Sequence, residues 1–152
     1  MKSHLLTAFA ILLLGCRQNT NHFKMETLQK DTSAISISNA LENFYFRGIY
    51  EGDLNALSQV FNTGTLLFGD VKGQPYAKTL DQYLDGVKNR QSPKDSGKPF
   101  KGEILNIKVV NSIAIAEVRV TMYDFIYHEF LSFHRLNGKW LIVNKMISDV
   151  NE

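Results

Sequence analysis

One cysteine in 152 residues excludes an intramolecular disulfide, and four scattered histidines leave no thiolate-rich set for a structural zinc. Excess charge is missing too: seventeen Lys and Arg against fifteen Asp and Glu give a formal +2, which argues against a nucleic-acid partner and against an acidic disordered tail. No apolar run approaches the roughly 20 residues of a membrane-spanning helix. There is no Gly-x-Ser-x-Gly, so a Ser-His-Asp hydrolase built on a nucleophile elbow has no support. Internal repeats and low-complexity segments are absent. What is present is an apolar fraction of 44% with 11% aromatics, enough for one domain with one core.

The N-terminus has its own logic. Met1 and Lys2 precede an apolar run over 5–14 that leads into Leu13-Leu14-Gly15-Cys16, the organisation of a signal peptide. Its end resembles a bacterial lipobox, in which the cysteine becomes the acylated first residue. Gly15 and Cys16 fit; Leu14 is bulkier than the usual small residue. A plain secretory signal with a cysteine near the cut is the alternative. Lipidation of Cys16 would anchor the protein to a bilayer in the bacterial cell envelope, facing the periplasm or the outside. Residues 17–33 are polar and read as a tether. The expected organisation is a signal peptide over 1–15, acylated Cys and tether over 16–35, and a folded domain over 36–152.

Within that domain, Leu41, Phe44, Tyr45 and Ile49 fall at helical spacing between a Ser36 or Ser38 cap and Gly52. Asp53 offers a cap to a second helix with Leu54, Leu57, Val60 and Phe61 on one face. Residues 65–68 read as a short strand and Gly73-Gln74-Pro75 as a turn. Thr79 and Gln82 form a capping-box pattern ahead of a third helix reaching about Arg90. After a loop over 91–99, four β-rich runs follow over 100–110, 113–123, 126–136 and 139–150. Asn111-Ser112, Asp124-Phe125 and Asn137-Gly138 separate them, the last being a strong type I′ hairpin signal.

Strict alternation from those turns assigns faces. One face collects Glu103, Leu105, Ile107, Val109, Ala116, Val118, Val120, Met122, Glu129, Leu131, Phe133, Trp140, Ile142, Asn144 and Met146, and is mostly apolar. The other includes Ile104, Glu117, His128, Phe130, His134, Leu141 and Val143. Its apolar members Phe130, Leu141 and Val143 suggest a covered middle, hence a homodimer. Helices on one face of a largely antiparallel sheet make an α+β fold.

That order, closing on Gly138-Lys139-Trp140-Leu141-Ile142-Val143-Asn144-Lys145, resembles the nuclear transport factor 2-like superfamily from about Asn39 to Val150. Tyr50-Glu51-Gly52-Asp53 strengthens the likeness to its bacterial "putative lumazine-binding" group, a relative of the SnoaL-like polyketide cyclases. The resemblance implies a cone of three N-terminal helices on a curved, mainly antiparallel sheet, a pocket at the wide end, and dimerisation through the outer sheet face. The group's name implies lumazine or a flavin-like ligand, although no phosphate-cradling Gly loop is present. No cofactor is expected.

Glu103 and Glu129, inward and roughly 10 Å apart between backbones, are candidates to converge on a ligand or, as in the superfamily's isomerases and dehydratases, to transfer a proton. The alternative puts both at solvent-exposed sheet ends. Asn144 offers an amide to a ligand or makes a structural hydrogen bond. Tyr50, Tyr76 and Tyr83 either point phenols at the cavity or fill core, and Phe68 would form cavity wall. His128 and His134, roughly 20 Å apart, are too distant to share a metal. Three functions compete: a non-catalytic small-molecule pocket, favoured by the expected lack of His and Lys on the inner face; an acid–base enzyme using Glu129; and an envelope module that binds another protein.

Overall fold

A computed structural model describes residues 15–150, with side chains from Lys24 onward. Most of the expected signal peptide and the Cys16 side chain lie outside the described residues. Helix α1 (Gly15–Ala40) runs directly into a π-helical turn (Leu41–Phe46) and then α2 (Arg47–Glu51). The first helix therefore does not begin at Ser36, and the stretch expected to be a tether is helical. Thr32 and Ser36 donate their hydroxyls to the carbonyls of Leu28 and Thr32, the back-bonding of such residues inside a helix. Residues 24–32 are exposed all round, which is why they carry no apolar period.

The π turn adds a residue to the helical cycle and re-phases the chain after it. Tyr45 and Phe46, adjacent in sequence, are both buried. Gly52 ends α2 in the left-handed region (φ 70°), and Asp53 caps α3 (Leu54–Val60) by accepting from the N–H groups of Asn55 and Ala56. Strands β1 (Phe61–Val71) and β2 (Gln74–Thr79) form a hairpin. Thr79 and Gln82 then close the capping box of α4 (Leu80–Lys88). A short α5 (Pro93–Ser96) precedes β3 (Phe100–Val110), β4 (Ile113–Met122), β5 (Phe125–Leu136) and β6 (Lys139–Asp149).

The six strands form one sheet in the order β2-β1-β6-β5-β4-β3, antiparallel throughout except that β1 runs parallel to β6. The fold is α+β. Strand β2 escaped the sequence reading because Pro75 and Lys78 give it the composition of an edge strand.

Register decides the faces. Asn137 and Gly138 both have positive φ (50° and 81°) and join Leu136 to Lys139 as a two-residue turn. The preceding turn is Tyr123-Asp124, not Asp124-Phe125, because Met122 pairs with Phe125. Each strand shifts by one residue, so the faces survive, and Val118 stands opposite Glu129. Two irregularities do reverse faces. Pairing in β3 slips between Ile104 and Asn106, and pairing of β5 with β6 slips at Ser132/Phe133, each a β-bulge with one extra residue on one strand. The first turns Gly102 and Ile104 inward and leaves Leu105 exposed; the second turns Lys145 inward and Asn144 and Met146 outward.

The helices cover the inner face. At Gly102 an added Cβ would lie 2.4 Å from the Phe46 ring, so the missing side chain is what lets the π turn seat on β3. On the outer face Phe68 stands opposite Met146 and Met146 opposite Phe130. Phe68 and Met146 are 43% and 54% exposed, giving an apolar row across three strands.

Candidate functional site

Tyr45 from the π turn, Glu129 from β5 and Lys145 from β6 close a triangle of hydrogen bonds inside the core. Tyr45 Oη donates to Glu129 Oε2 at 2.6 Å. Lys145 Nζ donates to Glu129 Oε1 at 2.5 Å and to Tyr45 Oη at 2.6 Å. Glu129 and Lys145 are each only 2% exposed. Charges so placed are tolerated because they pair with each other and both hydrogen-bond to the Tyr45 hydroxyl. The ammonium also lies 5.3 and 5.4 Å from the ring centroids of Tyr45 and Tyr83, within cation–π range. Burial, and then the Glu129 charge, push the Tyr45 phenol well above its ordinary range, so it stays an O–H donor.

Beside the triangle is a cavity of about 180 Å³. Ile49, Val120, Met122 and Ile147 supply apolar wall, Tyr76, Tyr83 and Tyr127 line it, and Glu129 and Lys145 contribute its polar side. Exposed Gly86 of α4 and half-buried Lys78 of β2 mark its mouth, with Arg90 alongside. A dry cavity of about 150 Å³ accommodates benzene, so this one suits a single ring with a short substituent. Among the described residues no three His, Cys, Asp or Glu converge as metal ligands.

Of the residues singled out from sequence, the structure brings Glu129, Tyr76 and Tyr83 to this cavity and sends Asn144, Glu103, Phe68 and Tyr50 elsewhere. Asn144 faces outward past the β6 bulge and donates to the Leu66 carbonyl at 3.1 Å. Glu103 lies on the outer side of the β3 bulge, opposite Arg119. Its carboxylate accepts from Lys101 at 2.7 Å, and that contact holds it below the usual carboxyl range. Phe68 is outward because Leu67 takes the inward position in β1. Tyr50 is 38% exposed and its ring packs on Phe100, centroids 5.3 Å apart.

Three residues were missed. Tyr45 passed for an apolar member of a helical stripe and Arg90 for a helix end. Lys145 contradicts the expected absence of a cation on the inner face. One signal pointed to it: an inward Glu129 needs a donor partner, and moving one residue of slack into β6 supplies Lys145.

A family model described as "Putative lumazine-binding" matches residues 32–148. No curated protein matches the chain. Among solved structures it is similar to a nuclear transport factor 2-like protein of unknown function from Silicibacter pomeroyi, with a TM-score of 0.71 and 19% identity over 79% of this chain and 98% of that one. Another such protein, from Shewanella baltica, gives 0.69 and 22% over 80% and 96%. A third, from Methylobacillus flagellatus, gives 0.70 and 23% over 79% and 94%. At these identities the likeness shows the fold.

Proposed function

The chain belongs to the "Putative lumazine-binding" family of nuclear transport factor 2-like domains, and from that premise we propose that it is a small-molecule-binding domain without catalysis of its own, carried on the bacterial envelope by an acylated Cys16. The observation that carries the reading is the closed triangle at the cavity wall. Both Glu129 oxygens are occupied, one by Lys145 and one by Tyr45, so the cluster presents a fixed polar wall rather than a free base. Mostly apolar surroundings with few convergent polar groups are what a binding cavity requires.

Two further parts of the reading rest on other features. The Gly15-Cys16 pair behind a short apolar run supports the lipid anchor, and the outward row of Phe68, Met146 and Phe130 supports a homodimer.

Native mass spectrometry of the purified full chain tests the pocket. A small molecule should co-purify with the wild type and be lost in Gly86→Trp, which blocks the mouth from an exposed helix position without entering the core. Retention of the same molecule by Gly86→Trp would place it elsewhere. Turnover of the recovered molecule that is lost in Glu129→Gln would replace binding with catalysis. For the anchor, Cys16→Ser should abolish acyl labelling and release the protein from membranes; unchanged labelling would exclude Cys16.

A further inference from the structure

The cavity is not electrically neutral. Glu129 and Lys145 cancel each other, and the phenols of Tyr76, Tyr83 and Tyr127 are all pushed upward chiefly by burial, so they remain neutral hydroxyls. What is left on the lining is Arg90, with Lys78 at the mouth. Asp149, whose charge reaches Tyr127, accepts from the Lys72 backbone N–H at 3.0 Å and does not line the cavity.

Arg90 is held at a fixed place. It follows Asn89, whose N–H closes α4 on the Asp85 carbonyl at 3.0 Å. It precedes Gln91, whose carbonyl accepts from the Tyr123 hydroxyl and whose side-chain amide donates to the Asp95 carbonyl at 3.2 Å. Yet its Nε and Nη2 are buried with no hydrogen-bond partner among the described residues. Those two nitrogens form one edge of the guanidinium, with parallel N–H bonds, the fork that receives a carboxylate in bidentate fashion. Buried donors of a charged group are costly to leave unpaired.

We infer that the cavity takes a small monocarboxylate, a single ring or compact apolar body bearing one carboxylate, received by the guanidinium of Arg90, which turns its unpaired Nε–Nη2 edge to the ligand on binding. The inference rests on the reading of this cavity as a ligand site and adds the chemical class of the ligand. The carboxylate neutralises the guanidinium, and the ring occupies the volume beside Ile49, Val120 and Met122. The apolar walls favour such a ligand over a hydrophilic anion of the same charge.

Calorimetry on the purified full chain tests it with benzoate, its uncharged analogue benzamide, and inorganic phosphate. Benzoate should bind about tenfold or more tightly than benzamide, the ratio expected of a charged hydrogen-bonded pair, and more tightly than phosphate. Arg90→Gln should remove that preference. Arg90→Lys, which keeps the charge and loses the fork, should lower the preference without abolishing it, and it carries the test if Arg90→Gln does not fold. Equal binding of benzoate and benzamide by the wild type, tighter binding of phosphate, or a preference untouched by Arg90→Lys overturns the carboxylate inference and leaves the pocket standing. If no probe binds the wild type, or Gly86→Trp binds them all as well, the pocket reading falls and the inference with it.

Discussion

Lys145 meets Glu129 on a diagonal of the β5–β6 pair: Leu131 stands opposite Lys145 and Ile147 opposite Glu129, and the side chains close that offset to 2.5 Å. Removing one member leaves the other charge buried and unpaired, which costs about 3–5 kcal/mol, whereas replacing both with apolar groups is often close to neutral. Lys145→Met should therefore lose stability by that order in urea denaturation, and Glu129→Leu with Lys145→Met should recover much of it. A double variant no more stable than Lys145→Met would show that the pair is not coupled.

The same diagonal marks where sequence reasoning stops. Asn137-Gly138 announced its hairpin because two consecutive positive φ values suit that dipeptide, and from it Glu129 could be placed inward. Past Ser132 the alternation failed, because Leu141, Ile142 and Val143 are all apolar and give no sign of which residue is the extra one. A bulge is set by pairing across strands, so it leaves no local pattern. Glu103 was misplaced for the same reason, by the slip between Ile104 and Asn106. The π turn was equally hidden: Tyr45 sits at a helical spacing, and only the packed structure turns its phenol onto Glu129.

Close approach of helix and sheet predicts a glycine requirement. A Cβ on Gly102 would lie 2.4 Å from the base of the Phe46 ring, which cannot swing away as the tip of a long side chain would. Overpacking of this kind costs typically about 1–3 kcal/mol. Gly102→Ala should fall in that range by thermal or urea unfolding, and should cost less in a Phe46→Ala background, which removes the ring atoms that the new methyl meets. Wild-type stability in Gly102→Ala would mean that the π turn does not seat on β3 as described.

Alkaline pH should weaken the fold. The Tyr45 phenol is raised by burial and by Glu129, and Tyr76, Tyr83 and Tyr127 are also raised, burial leading each time. An acid whose folded pKa lies above its unfolded value of about 10 holds its proton more tightly when folded. The stability this contributes is complete below about pH 10 and is lost as pH rises through the folded value. Unfolding free energy measured across that window should decline, and Tyr45→Phe should make the decline shallower while lowering stability at neutral pH. An unchanged slope in Tyr45→Phe would remove Tyr45 from the linkage.

The outer face makes the last prediction, and its control lies one residue away. Met146 points outward between Phe68 and Phe130, while Ile147 on the same strand lines the cavity. Alternation along β6 thus lets a substitution disturb one face with little effect on the other. A lysine at the centre of an apolar contact between two copies would meet its own symmetry mate, because a two-fold interface is self-complementary and each change is made twice. Met146→Lys should then sediment as monomer at concentrations where the wild type is dimeric, with benzoate affinity within about twofold of wild type, the scale of a surface substitution. A wild type that is already monomeric at high concentration would leave the row of Phe68, Met146 and Phe130 without a second copy to cover it. Loss of benzoate binding in Met146→Lys would instead show that the cavity depends on the dimer.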